Sequence, residues 1–141
     1  MNQSTRLLLI ALFPLTLGAC QMNSRDQVLA SDKSQVQLRA VSTRAFDTAD
    51  RNLTVRNVIA TLQDLGFVVD KADEALGTVS ATKMAGYVLR ITVTVRPRGQ
   101  RQMVVRASAQ YNMEAVSDAA PYQQFFAALE KAMFLTANEI D

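Results

Sequence analysis

Cys20 is the only thiol in the 141-residue chain, and it stands directly behind an apolar run from Leu7 to Leu17 broken only by Pro14 and Thr16. The chain has no histidine. Without one, neither a Ser/His or Cys/His nucleophile pair nor a His/Cys metal cluster can be assembled around Cys20. The remaining groups for acid–base work are carboxylates such as Asp64, Asp70, Asp73, Glu74 and Glu114. Hydrolysis by carboxylates alone needs two of them close together in a pocket, and nothing in their spacing brings two together. They read as solvated surface acids. Asn52-Leu53-Thr54 fits a glycosylation acceptor, but its place at a helix start argues against that use. The chemistry that suits Cys20 is covalent modification, because a lone cysteine in an oxidising compartment is otherwise out of place.

The surroundings of Cys20 support that reading. Residues 1–6 carry one positive charge, Arg6, and no acid; the apolar run follows, then the small residues Gly18 and Ala19. These are the parts of a secretory signal peptide, and the run is too short for a permanent membrane span. The stretch Leu17-Gly18-Ala19-Cys20 resembles the lipobox of bacterial lipoproteins. The resemblance implies that residues 1–19 are removed, that Cys20 is joined to diacylglycerol, and that its new amino terminus is acylated. Each buried methylene contributes about 0.8 kcal/mol, and more than one chain holds a protein stably in a membrane. In that family an aspartate after the cysteine retains the protein in the inner membrane, so Gln21 implies the outer membrane, on its periplasmic face. The plainer alternatives are a secreted protein with a leftover thiol, or a short anchor helix.

Removing residues 1–19 takes Arg6 from the 15 basic side chains and leaves 14 against 13 acids. That near balance argues against a nucleic-acid binder. The remaining 122 of 141 residues suffice for one domain with a modest core. Residues 20–34 are small and polar and read as the lipidated cysteine and a flexible tether, which extended would reach at about 3.3 Å per residue. A single domain is expected over residues 35–141.

Within it, Val36, Leu38 and Ala40 alternate with polar neighbours and predict a half-buried strand running toward Phe46. Asp47, Thr48 and Asp50 offer N-caps. Val55, Val58, Ile59, Leu62 and Leu65 form a helical stripe, with Thr61 off it and Gly66 ending it as a C′ glycine. Phe67 to Val69 reads as a short strand, Asp70 to Ala75 as a charged turn, and Gly77 to Lys83 as another strand. Tyr87 to Arg96 is the clearest strand, Pro97 to Arg101 turn the chain, and Met103 to Tyr111 return. Pro121 opens a last helix whose stripe is Tyr122, Phe125, Phe126, Leu129, Met133, Thr136 and Ile140. The order β-α-β-β-β-β-α predicts an α+β, two-layer domain. An antiparallel sheet of four to five strands would carry two helices on one face. Whether its first and second strands are adjacent and parallel, or split, stays open.

From Lys83 to Arg106 every charged residue is basic. Alternation predicts Arg90, Arg96 and Arg106 on the polar face of one hairpin, with Arg98 and Arg101 at its tip. This set is a candidate docking surface for lipid phosphates or an acidic protein patch; the simpler reading is a solvated face that discourages edge pairing. No aromatics interleave with the arginines, which further disfavours nucleic acid. Phe134 and Leu135 fall off the stripe of the last helix and are a second candidate contact; a helix covered on two sides, or fraying near its end, explains them equally.

Arg44-Ala45-Phe46-Asp47, Val58 to Asp70 with its Gly66-Phe67, and Gly77-Thr78-Val79 are together similar in cadence to small domains of envelope-assembly accessory lipoproteins, including that of the outer-membrane β-barrel assembly machine. The resemblance spans residues 44–79 and implies a helix-on-sheet domain with a non-enzymatic scaffold or interaction role. It transfers no functional residues. The expectation is therefore a lipid-anchored binding subunit of an envelope or secretion-associated assembly. No metal and no cofactor beyond the lipid on Cys20 are expected. Its partners would be the membrane, an envelope protein and, as a further candidate, a second copy of the chain. A lipid or glycan carrier is the rival reading and needs a pocket between helices and sheet. A carboxylate-only hydrolase ranks last.

Overall fold

The computed structural model describes residues 34–137, and the side chains of 34–134. Cys20, the apolar run before it, the tether up to residue 33, and the side chains of Leu135, Thr136 and Ile140 lie outside the described residues. Contacts divide the chain into Met1–Gln35 and Val36–Asp141, and the fold below is that of the second unit.

The half-buried strand expected from Val36 onward does not form there. Residues 34–41 are helical (α1), and the strand begins only at Thr43. Val36 is exposed, whereas Leu38 and Val41, three apart, reach the core. That spacing suits a helix face, and the apparent alternation is incidental. The Ser42 N–H donates to the Leu38 carbonyl at 2.9 Å, and the Arg44 guanidinium to the carbonyls of Ala40 at 2.8 Å and Thr43 at 3.0 Å. Carbonyls at the end of α1 are thus satisfied by the strand that follows.

The remaining elements are β1 (Thr43–Phe46), α2 (Arg51–Asp64), β2 (Val68–Asp73), β3 (Thr78–Met84), β4 (Val88–Arg98), β5 (Gln102–Tyr111), the two-residue β6 (Glu114–Ala115) and α3 (Ala120–Ala137). Among the described residues three helices thus replace the expected two. The strands lie in the order β1-β5-β4-β3-β2, all antiparallel, with β6 also on β5. β1 and β2 are split to opposite edges, so α2 carries the chain across the whole sheet.

α2 starts where Asp50 caps it, the Oδ1 accepting from the Leu53 N–H at 2.8 Å. It ends in a Schellman motif: the Phe67 N–H donates to the Leu62 carbonyl and the Gly66 N–H to that of Gln63, both at 2.9 Å, with Gly66 at φ +81°. The buried face includes Thr54 and Thr61 as well as Val55, Val58 and Leu62. Thr61 was expected off the stripe; it is buried, and its hydroxyl has no partner among the described residues.

β2 runs to Asp73, through residues expected to form a turn, with a register shift between Val69 and Lys71. Being an edge strand, it keeps Asp70 and Lys71 exposed, so their charge costs little. β4 likewise runs through Pro97 and Arg98, so the turn is only residues 99–101.

One face of the sheet forms the core. Val79, Ala81, Leu89, Ile91, Val93 and Val95 on β3 and β4 are buried against Val55, Val58 and Leu62 of α2 and Phe125, Phe126 and Leu129 of α3. Each such side chain contributes about 1.5–3 kcal/mol on full burial. Tyr122 ties α3 to the sheet: its buried hydroxyl donates to the Val116 carbonyl at 3.0 Å and accepts from the Ala109 N–H at 3.2 Å. Arg44 ties β1 to α3, with its guanidinium carbon 5.3 Å from the Phe126 ring centre and its Nε 3.9 Å from Glu130.

Candidate functional surfaces

Because α2 and α3 share one face, no helix among the described residues covers the other face of the sheet. Pairing fixes what it carries. Thr94 lies between Thr78 and Arg106, and Arg106 between Thr94 and Thr43. Arg90 lies between Thr82 and Gln110, and Arg96 beside Val104. Arg90, Arg96, Arg98 and Arg106 are all exposed, on a ground of half-buried threonines and serine. The expected arginine face therefore exists, with Arg98 at the end of β4 and Arg101 in the turn. Among the described residues, none of these arginines is in an ion pair. Six residues separate Arg90 from Arg96, about 20 Å along a strand. That exceeds a Debye length of about 8–10 Å. Arg98, however, lies two residues from Arg96, and Arg106 pairs with Thr94, also two residues from Arg96, so three cations stand close together without counter-charges among the described residues. The face is open to an incoming acidic group, for which guanidinium forks suit carboxylates and phosphates.

The acids do not gather opposite it. Asp64 ends α2, Glu74 follows β2, and Glu114 is in β6 on the other side of the sheet. Asp70 accepts from the Thr82 hydroxyl at 2.6 Å, and Asp73 from the Leu76 N–H at 2.8 Å, both local supports. Among the described residues no group of three acids, histidines or cysteines is placed to hold a metal. Phe134 is exposed on α3, on the side away from the buried stripe.

A second feature lies between helices and sheet. A cavity of about 240 Å³ opens where the end of α2, the start of α3 and one end of the sheet meet. The buried side chains of Leu89, Ile91, Ala109 and Phe125 form its floor, and Leu65 and Phe67 a wall. Lys83, Tyr87, Tyr111, Asp118 and Gln124 form the mouth. Lys83 belongs to the core-facing set of β3, yet it sits where the helices stop. Its ammonium donates to the Leu65 carbonyl at 2.9 Å and lies 5.8 Å from the Phe67 ring centre. Tyr87 and Tyr111 meet edge to face at 5.0 Å. Desolvation, then the neighbouring Tyr87, raises the Tyr111 phenol above its ordinary value, so it is a neutral hydroxyl at the mouth. Asp118 accepts from the Ala120 N–H at 3.2 Å, at the first turn of α3.

The cavity residues carry no shared sequence signature, since they come from four elements and the connections between them. Lys83 alone left a trace: a charge at the inward position of an alternating strand.

Compared with models of known protein families and with curated proteins, the chain matches none.

Proposed function

We propose that this protein is a lipid-anchored bacterial envelope protein whose domain works by binding, as a non-catalytic subunit of an envelope or secretion-associated assembly. Cys20 carries the anchor in this reading, on the outer membrane's periplasmic face, and residues 21–34 precede the domain. The observation that carries the binding role is the uncovered sheet face, where Arg90, Arg96, Arg98 and Arg106 stand exposed and unpaired among the described residues. Rim arginines of this kind raise association rates and select acidic partners more than they add affinity. An acidic surface on an envelope protein is the partner they suit.

A carrier of lipid or glycan is the second reading, favoured by the cavity between helices and sheet. Its volume of about 240 Å³ falls below the roughly 300–1,000 Å³ usual for small-molecule sites, so it ranks behind. A hydrolase would need a second carboxylate beside Asp118 in that cavity.

The test is co-purification after crosslinking in intact cells. Partners should be lost on Arg90→Glu with Arg106→Glu, and unchanged recovery would sink the arginine face. Mass spectrometry of the mature amino terminus tests the anchor separately: an acylated Cys20 is expected, and an unmodified Cys20 or a retained Leu7–Leu17 segment would overturn it.

A further inference from the structure

Four of the seven large apolar side chains exposed among the described residues, Val68, Met84, Tyr87 and Met113, stand at one end of the sheet. Met84 (81 % exposed) and Tyr87 (48 %) flank the β3–β4 connection, and Met113 (92 %) is at the tip of the β5–β6 turn. The two loops touch, since the Asn112 N–H donates to the Val88 carbonyl at 2.7 Å and Val88 pairs with Met84. Val68 (71 %) pairs with Thr82, two residues from Met84. Tyrosine and methionine are enriched at protein interfaces, and contiguous exposed apolar surface marks them. Tyr87 of this group lines the mouth of the cavity between helices and sheet, whereas Val68 and Met84 share the uncovered face with Thr82.

We propose that this end of the sheet is a second docking site, where one bulky apolar side chain of a partner protein seats in the cavity and an adjacent carboxylate of that partner meets Lys83. The proposal rests on the reading of the domain as a binding module but uses none of the arginine face.

Size selects the occupant. A 150 Å³ apolar cavity takes a benzene ring, so the 240 Å³ here suits a single leucine, methionine or phenylalanine side chain and not a whole lipid. Charge selects its neighbour. Among the described residues Lys83 is the one cation lining the cavity. An ammonium has three donors, and the bond to the Leu65 carbonyl uses one of them. Asp118 is already engaged with the first turn of α3. An anionic bilayer surface is the poorer fit, because Glu114 directly follows Met113 and Asp118 sits at the mouth, both repelled by it. A bilayer also offers no projecting side chain to fill a hole.

The experiment uses the full chain in phospholipid nanodiscs and the photoreactive dipeptide acetyl-Glu-photoleucine-amide, with adducts mapped by mass spectrometry. Labelling should saturate, fall on segments bearing Leu89, Ala109 or Phe125, and be displaced by acetyl-Glu-Phe-amide. The lysine counterpart, acetyl-Lys-photoleucine-amide, should label about three- to fivefold less at equal concentration, as befits one exposed ion pair. Gln124→Trp, a change at an exposed position that roofs the mouth, should abolish labelling while leaving the thermal transition in place; Ala109→Leu, filling the floor, is the second variant. Unsaturable labelling, adducts mapping elsewhere, equal labelling by the lysine peptide, or labelling that survives both variants would overturn the proposal. Displacement by dodecanoate but not by acetyl-Glu-Phe-amide would also overturn it and assign the cavity to an acyl chain.

Discussion

The ammonium of Lys83 on β3 donates to the carbonyl of Leu65, the residue that closes α2, at 2.9 Å. One side chain thus caps a helix, stacks on Phe67 and supplies the cation at the cavity mouth. Lys83→Met keeps the stem but removes the donor, leaving the Leu65 carbonyl without this partner. The expected loss is about 0.5–1.5 kcal/mol in urea unfolding, with Lys83→Arg recovering part of it. Equal stability of wild type and the methionine variant would show that the cap contributes nothing.

Gly77 and Gly99 share φ +63°, and only one of them is enclosed. A Cβ on Gly77 would lie 2.4 Å from the Val95 carbonyl oxygen, the neighbour of the N–H that donates to the Gly77 carbonyl at 2.7 Å; at Gly99 nothing lies within 4 Å. Gly99→Ala should therefore cost only the left-handed penalty of about 1–2 kcal/mol. Gly77→Ala should cost a further roughly 1–3 kcal/mol from overpacking. Thermal melts of the two variants check the order, and equal losses would contradict the close approach.

Thr61 buries a hydroxyl that has no partner among the described residues. Thr61→Val keeps the shape and removes the unpaired group, so it should stabilise the domain by about 1 kcal/mol. A loss of that size in chemical denaturation would mean that the hydroxyl is satisfied in solution.

Much of this fold is legible from periodicity. Leu89, Ile91, Val93 and Val95 alternate because one face of β4 meets the helices and the other meets solvent. Asp50 and Gly66 bracket α2 because a helix must satisfy its end groups, and those residue types do so locally. Residues 34–41 misled because only Leu38 and Val41 reach the core, too few to distinguish a short helix from a strand. The second half of β2 escaped because Asp70, Lys71 and Asp73 lie on an edge, where ladder hydrogen bonds and not apolar burial hold the strand. The arginine face follows from alternation alone. The cavity does not, since Leu65, Lys83, Ala109 and Phe125 are brought together by tertiary packing.

The central claim is that the uncovered arginine face docks an acidic partner on an anchored protein. Ser108 is exposed on that face, directly across from Thr92 and two residues from Arg106. A photocrosslinking amino acid placed at Ser108 in intact cells tests the claim most directly. The account predicts a discrete protein adduct that disappears when Arg90→Glu and Arg106→Glu are added, while the domain keeps its thermal transition. An absence of adduct at Ser108, or one indifferent to both charge reversals, would contradict it.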